Sequence, residues 1–439
     1  MAIVRGKCYL ASRIEQVVRT IRESVPAEYA RAGRTAQMAG KEVLDLKSQV
    51  RDGTLFRPPD DEHRTDAYIP PMGNENHAPG LASLPNGDLL CVWFAGSAEG
   101  ASDISIAMSR LPAEGNRWTE PTWLTSDPAR AEQNPSLFVT PQGELWLLFT
   151  SQQTRDISRE EWDRQKAAGK VEGIYPMQWT SEVRRRVSTD DGWSWGEVET
   201  FVDKPGSFCR HPPTVLSNGD WLFPMYNSLQ EGTLHGNDYS MVRISEDEGQ
   251  SWREYPVPNS KGRVHPSVVE LEEGRLVAFF RSRAADRIYV SRSSDYGRTW
   301  TPAQRSVLPN NNASIHATKL ASGNIAIVFN YFSANDDPDK VLWPTRRYPL
   351  TMAISEDEGR TWPYMRHVDP GDNFFGDENE RLNRVCAYPC FDQTQDDALH
   401  SAYSYRGRQC IKYVGVTEEW VRDQLDYVYS RHVSHAHPF

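Results

Sequence analysis

The sequence predicts an all-β body, a β-propeller of six blades. Three observations carry this: a strand–turn–strand unit recurs six times, a short turn motif follows several of the units, and turn residues and aromatics are abundant. The 439 residues include 29 Gly, 29 Pro and 14 Trp, with no long heptad run. Length alone suggests two or three domains, but a repeat architecture absorbs it in one.

In chain order, residues 1–60 read differently from the rest. Arg13–Ser24 and Ala27–Gln49 have helical composition and end near Asp52-Gly53, so a helical N-terminal extension is expected, acting as a packing arm or oligomer contact. The propeller is expected over 61–417. Its units read HAPGLASLPNGDLLCVWF from His77, QNPSLFVTPQGELWLLF from Gln133, HPPTVLSNGDWLFPMY from His211, HPSVVELEEGRLVAFF from His265, IHATKLASGNIAIVF from Ile315 and AYPCFDQTQDDALHSAY from Ala387. Most turn on a dipeptide such as Asn-Gly or Glu-Gly, flanked by alternating or continuous apolar strands. A seventh blade forms only if segments outside these units pair. The tail, 418–439, carries a short helix candidate, EEWVRDQLDYVYSR.

The second motif is S-x-D-x-G-x-[ST]-W. It stands intact at Ser188–Trp195, Ser245–Trp252, Ser293–Trp300 and Ser355–Trp362, and degenerate at Ser109–Trp118. Its Asp can accept backbone N–H bonds across a hairpin corner, its Gly can take positive φ, and its Trp can bury a face between blades.

Composition narrows the function classes. There are 49 Lys and Arg against 60 Asp and Glu, net −11, and no basic block, which argues against nucleic acid as a partner. An acidic substrate remains compatible, because a local basic cleft can sit inside an acidic protein. The six cysteines contain no C-x-x-C pair, so buried thiols and no metal site or other cofactor are expected. No run of about 18 apolar residues suggests a membrane span. The start, MAIVRGKCYLASRIEQ, lacks an apolar leader segment, so an intracellular location is expected, or secretion if the chain is trimmed.

Inner strands of a propeller converge on a central channel, so the unit openings should line the cleft. They supply His77, Asn134, His211, His265, His316 and Tyr388, four of the chain's 11 histidines among them.

Four intact octapeptides after strands make the region from about His77 to Val416 resemble the Asp-box, or BNR-repeat, sialidase-like propellers. In that group the boxes lie on blade rims away from the active site. The resemblance implies carboxylate-binding arginines, a Tyr nucleophile helped by a Glu, and an Asp as acid/base. Arg281 in FFRSR looks like the second arginine, and Arg347 or its neighbour Arg346 like the third. Tyr388 in AYPC resembles the nucleophile, and Glu99 and Asp103 are the acidic candidates. Arg406 joins the substrate-binding set. The chain departs from the pattern at His77, where the first arginine would stand, and at His265, where the helping Glu would stand.

These departures point to a second chemistry. β-Elimination at a uronic acid needs a neutralised carboxylate, a base near pKa 7 and an acid for the leaving oxygen. The first reading is therefore a carbohydrate-active lyase with His77, His265 or Tyr388 as base, similar to the fungal rhamnose–glucuronate lyases. An exo-acting sialidase-like glycoside hydrolase is the alternative, and a non-catalytic glycan-binding propeller the third. In each case the partner is a glycan, and in the two enzymatic readings it carries a carboxylate.

Overall fold

The computed structural model describes residues 50–59, 61–229, 235–344, 346–370, 386–394 and 396–423. Of the expected helical extension over 1–60, residues 1–49 lie outside the described residues, and 51–59 are not helical but bridge Thr54 to Arg117 and Phe56 to Asp66. From Arg51 onward the chain builds six antiparallel sheets.

The first strand, β1 (Thr65–Ile69), belongs to the last blade. Blade 1 follows with β2 (Glu75–Ser83), β3 (Leu89–Gly96), β4 (Ser105–Leu111) and β5 (Thr122–Trp123). Blade 2 has β6 (Arg130–Val139), β7 (Leu145–Gln153), β8 (Glu182–Ser188) and β9 (Glu199–Val202), with helix α1 (Arg159–Ala167) inserted after β7. Blade 3 has β10 (Ser207–Cys209), β11 (Thr214–Val215), β12 (Trp221–Asn227), β13 (Tyr239–Ser245) and β14 (Arg253–Pro256). Its inner strand is split because Pro212 and Pro213 offer no ladder N–H. Blade 4 has β15 (Arg263–Glu272), β16 (Arg275–Ser282), β17 (Arg287–Ser293) and β18 (Gln304–Pro309). Blade 5 has β19 (His316–Lys319), β20 (Ile325–Asn330), β21 (Leu350–Ser355) and β22 (Tyr364–Asp369). Blade 6 has β23 (Ala387–Gln393), β24 (Ala398–Tyr405) and β25 (Cys410–Thr417), and β1 completes it, with Thr65 opposite Gly415. A short helix, α2 (Glu418–Arg422), follows. The N-terminal strand thus closes the ring.

The continuous apolar runs follow from burial on both faces. In β3, Leu90, Val92 and Phe94 pack towards blade 2, while Leu89, Cys91, Trp93 and Ala95 pack towards blade 6. In β16, Leu276, Ala278 and Phe280 face blade 3, and Val277 and Phe279 face blade 5. The core is therefore a set of layers between blades. Each fully buried Phe, Leu or Val contributes about 1.5–3 kcal/mol relative to exposure.

All four intact Asp boxes close the hairpins between the third and fourth strands, on the outer side of the blades. In each, the Asp accepts from a backbone N–H four residues on: Ser194 and Ser251 at 2.8 Å, Thr299 at 2.8 Å and Thr361 at 2.7 Å. The box Ser hydroxyl donates to the same carboxylate and accepts the Gly N–H. Gly249 sits at φ +84°, and a Cβ there would come within 2.7 Å of Trp146 of the preceding blade. The degenerate copy closes the same hairpin in blade 1, where Trp118 is fully buried. Blade 6 has no box for a topological reason: its outer strand comes from the N-terminal side, so no hairpin joins it to β25.

Third strands run parallel to first strands. The boxes and the Asn-Gly type turns therefore share one face of the ring, and the openings of the inner strands lie on the other.

Candidate active site

Four inner strands carry a β-bulge at the same place, each immediately before or at a proline. The bulges lie between His77 and Gly80, Gln133 and Ser136, Val264 and Ser267, and Ala387 and Cys390. The residue before each proline is left-handed: Ala78 at φ 55°, Asn134 at 50°, His265 at 51° and Tyr388 at 55°. A non-glycine residue there costs roughly 1–2 kcal/mol, and a bulge re-aims its side chain. The unit openings are thus out of step by one residue in blade 1: Ala78, not His77, is the counterpart of Tyr388.

Tyr388 is the centre of the constellation. An N–H of Arg281 donates to its hydroxyl, and Arg281 Nε donates to Asn312 Oδ1 at 2.8 Å. The Arg347 guanidinium lies 5.6 Å from the Tyr388 ring centre. Its loop is pinned where Asn330 Nδ2 and Cys386 N donate to the Arg347 carbonyl at 2.9 and 3.0 Å. The His77 and His265 rings stand 4.3 and 5.5 Å from Tyr388.

Glu99 and Asp103 share one loop but separate. Glu99 pairs with Arg408 at 2.8 Å, and Arg408 also holds Glu75 at 3.0 Å. Asp103 is exposed and bonded by Ser97 N and Oγ at 2.9 and 2.7 Å. Arg283 pairs with Asp238 at 2.8 Å. Arg210 donates to the carbonyls of Pro79, Tyr388 and Pro389 at 3.0, 2.9 and 3.2 Å, tying blades 1, 3 and 6 together. Among the described residues, Arg281 and Arg347 have no carboxylate partner.

This charge balance sets the ionisations. Burial alone would raise the Tyr388 phenol, but Arg281 and Arg347 outweigh it and hold it below its ordinary value. Burial lowers Arg347 to about 10, with Arg408 and Arg281 adding repulsion. Burial opposes ionisation of Glu99, but Arg408 dominates and keeps it a carboxylate. His77 and His265 are held well below the ordinary imidazole value, first by burial and then by neighbouring arginines. Both are neutral.

His77 stays beside Tyr388 but is 1% exposed, packs edge-on to Phe94, and its Nδ1 lies 2.6 Å from Ser404 Oγ. Several expected site residues are placed elsewhere. His211 and His316 stack on each other at 4.4 Å and border a cavity of about 610 Å³ at the opposite mouth of the channel. The Arg346 guanidinium lies over the Phe332 and Tyr348 rings at 4.6 and 4.7 Å. Arg406 has Arg51, Tyr405 and Tyr68 as surroundings. Asn134 occupies the blade 2 bulge without a bond or ring contact to Tyr388. Among the described residues no group of three or more His, Cys, Asp or Glu could hold a metal ion.

Sequence reasoning missed Arg210, Arg283 and Arg408. Arg210 directly precedes the opening His211-Pro212, a signal within reach. Arg408 is two residues from Arg406 in one short loop, and nothing in the string Arg-Gly-Arg says which guanidinium turns inward.

The sequence pattern of a family described as a BNR repeat-like domain matches residues 87–401. No curated protein matches the chain. Among solved structures, the chain is similar to the Hadza microbial sialidase Hz136, with a TM-score of 0.61 and 19% identity over 79% of this chain and 66% of that one. It is similar to the NanB sialidase from Streptococcus pneumoniae, with a TM-score of 0.60 and 15% identity over 85% and 71%. A protein of unknown function from Dyadobacter fermentans gives a TM-score of 0.61 and 17% identity over 80% and 97%. The chain thus spans about two thirds of the length of the two sialidases and almost all of the third protein. Six closed blades, outer-rim Asp boxes and the family match together place this chain in the BNR repeat-like family, with a six-bladed β-propeller fold similar to that of the sialidases.

Proposed function

We propose that this chain is a glycan-cleaving enzyme acting at a terminal acidic sugar, by hydrolysis, with Tyr388 as nucleophile. One observation carries the reading: Arg281 bonds the Tyr388 hydroxyl, and among the described residues neither Arg281 nor Arg347 forms an ion pair with a carboxylate. Unpaired buried cations are costly, so an anion completes the site. A sugar carboxylate gripped by these guanidiniums brings the carbon that bears it against the phenol. The depressed phenol is a better nucleophile than an ordinary tyrosine at neutral pH. Attack of the phenolate on the anomeric carbon breaks the glycosidic C–O bond, the aglycone leaving as its alcohol with a proton from water, and a water molecule then cleaves the tyrosyl–sugar bond to restore the phenol; ionised Glu99 can stabilise the oxocarbenium-like state of each step. The likeness in fold to sialidases and to a leech intramolecular trans-sialidase supports a carbohydrate substrate.

Elimination at a uronic acid, the first reading of the sequence, is the second reading: His77 and His265 stand 4.3 and 5.5 Å from Tyr388 and are as deeply buried as Arg281, so Tyr388 or one of these histidines would serve as its base.

The test is product analysis with the full chain. Aryl glycosides of sialic acid should yield free sialic acid, and a rhamnosyl-glucuronate substrate should give no conjugated unsaturated uronate by ultraviolet absorbance. Tyr388→Phe should abolish cleavage. Cleavage that survives Tyr388→Phe, or an unsaturated product, would overturn the hydrolytic assignment.

A further inference from the structure

Blade 1 holds a second cavity, of about 630 Å³, within the range of ordinary ligand sites. It is lined by Asn74, Ser97, Asp103, Ser105, Trp123 and Thr125 among others. The loop over 97–103 is the wall it shares with the Tyr388 site. Glu99 of that loop pairs with Arg408, while Ser97 and Asp103 of the same loop line the second cavity. The loop is closed on itself by the two bonds from Ser97 to the Asp103 carboxylate. On the far wall, Thr125 is fixed between the Ile106 N–H, at 2.9 Å, and the buried Glu132 carboxyl. The walls are therefore preformed.

The lining contrasts with the neighbouring site. It contains no Lys, Arg or His; beside two glycines and a proline it offers hydroxyls, one amide, one carboxylate and one large aromatic. Trp123 is 47% exposed, on the two-residue edge strand β5. Single exposed aromatics are common and mean nothing alone. Here the indole forms part of a concave, hydroxyl-rich wall, which matches a ligand with apolar C–H faces and many hydroxyls. An anion has no cation to meet.

We propose that this cavity binds a neutral pyranose with the Trp123 indole as its stacking platform, as the subsite for the sugar next to the acidic one. The subsite role rests on the catalytic reading above; the binding itself does not.

Binding and cleavage separate the two. The full chain is titrated with lactose, cellobiose and maltose by ligand-observed NMR, as wild type, Trp123→Ala and Arg281→Lys. At least one disaccharide should bind the wild type and Arg281→Lys equally, and Trp123→Ala should weaken it by about tenfold, the scale of one aromatic contact. In cleavage assays, Trp123→Ala should raise KM for a sialylated oligosaccharide by about tenfold. Absence of disaccharide binding by the wild type, binding unaffected by Trp123→Ala, or a dimer that Trp123→Ala converts to monomer would overturn the proposal. Trp123-dependent binding in a protein that cleaves nothing would refute the catalytic reading and leave the sugar site standing.

Discussion

Arg281→Lys tests the centre of the site. Arg281 is 1% exposed and spans two partners, with Nε on Asn312 and an Nη on the Tyr388 hydroxyl. A lysine ammonium is a point charge and cannot hold both directions at once. Losing one hydrogen bond to a charged group removes roughly 1.5–3 kcal/mol, so kcat/KM should fall roughly 10- to 150-fold. A second signature follows from the phenol. Arg281 is the largest of the charges that hold Tyr388 below its ordinary value against the opposing effect of burial. If the phenolate attacks, activity rises with pH as Tyr388 ionises. Weakening the guanidinium contact lets burial prevail, so this acid limb should move to higher pH. The assay is kcat/KM against pH for an acidic aryl glycoside, with the melting temperature measured on the same preparation. An unchanged kcat/KM with an unmoved acid limb would refute the reasoning. A lower melting temperature with both kinetic features intact would reduce Arg281 to packing.

Trp300→Ala should cost about 3–5 kcal/mol by urea unfolding, because the ring is 7% exposed and its Nε1 donates to Gly297 O at 2.8 Å. Trp252, less buried, should cost less, and equal small losses would contradict the inter-blade role. His77→Ala should lower the melting temperature and activity together, since the ring fills the space between Phe94 and Tyr388. A folded variant with full stability and no activity would instead mark His77 as a reacting group. Acid should destabilise the fold before most carboxylates titrate. Buried His77, His211 and His265 are held well below the ordinary value and His316 is lowered to about 3, all chiefly by burial. The unfolded chain takes up these protons near pH ~6.5, so stability is intact above that and falls below it, by up to about 1.4 kcal/mol per pH unit for each histidine. A urea midpoint that stays flat down to about pH 5 would exclude this linkage.

The sequence by itself determined the propeller, because each blade repeats the same physical problem. A central strand buried on both faces must be apolar throughout, as in LLCVWFAG, and a hairpin corner must supply a carboxylate, a glycine and a tryptophan at fixed spacing. Such constraints are local and recur, so they are legible in one dimension. Tyr388 stood out as a repeat opening, while Arg281, Arg347 and Glu99 were singled out only through the resemblance to sialidase-like propellers. What the sequence left open was direction. Arg346 against Arg347, and Arg406 against Arg408, differ only in which guanidinium the loop turns inward. The tertiary structure also decided that Ala78, and not His77, takes the left-handed bulge position equivalent to Tyr388, because His77 stands two residues before its proline, and that the His77 ring packs between Phe94 and Tyr388. It alone decided which charges stay unpaired. That depends on residues more than a hundred positions apart meeting at one end of the ring, and no periodicity along the chain encodes it.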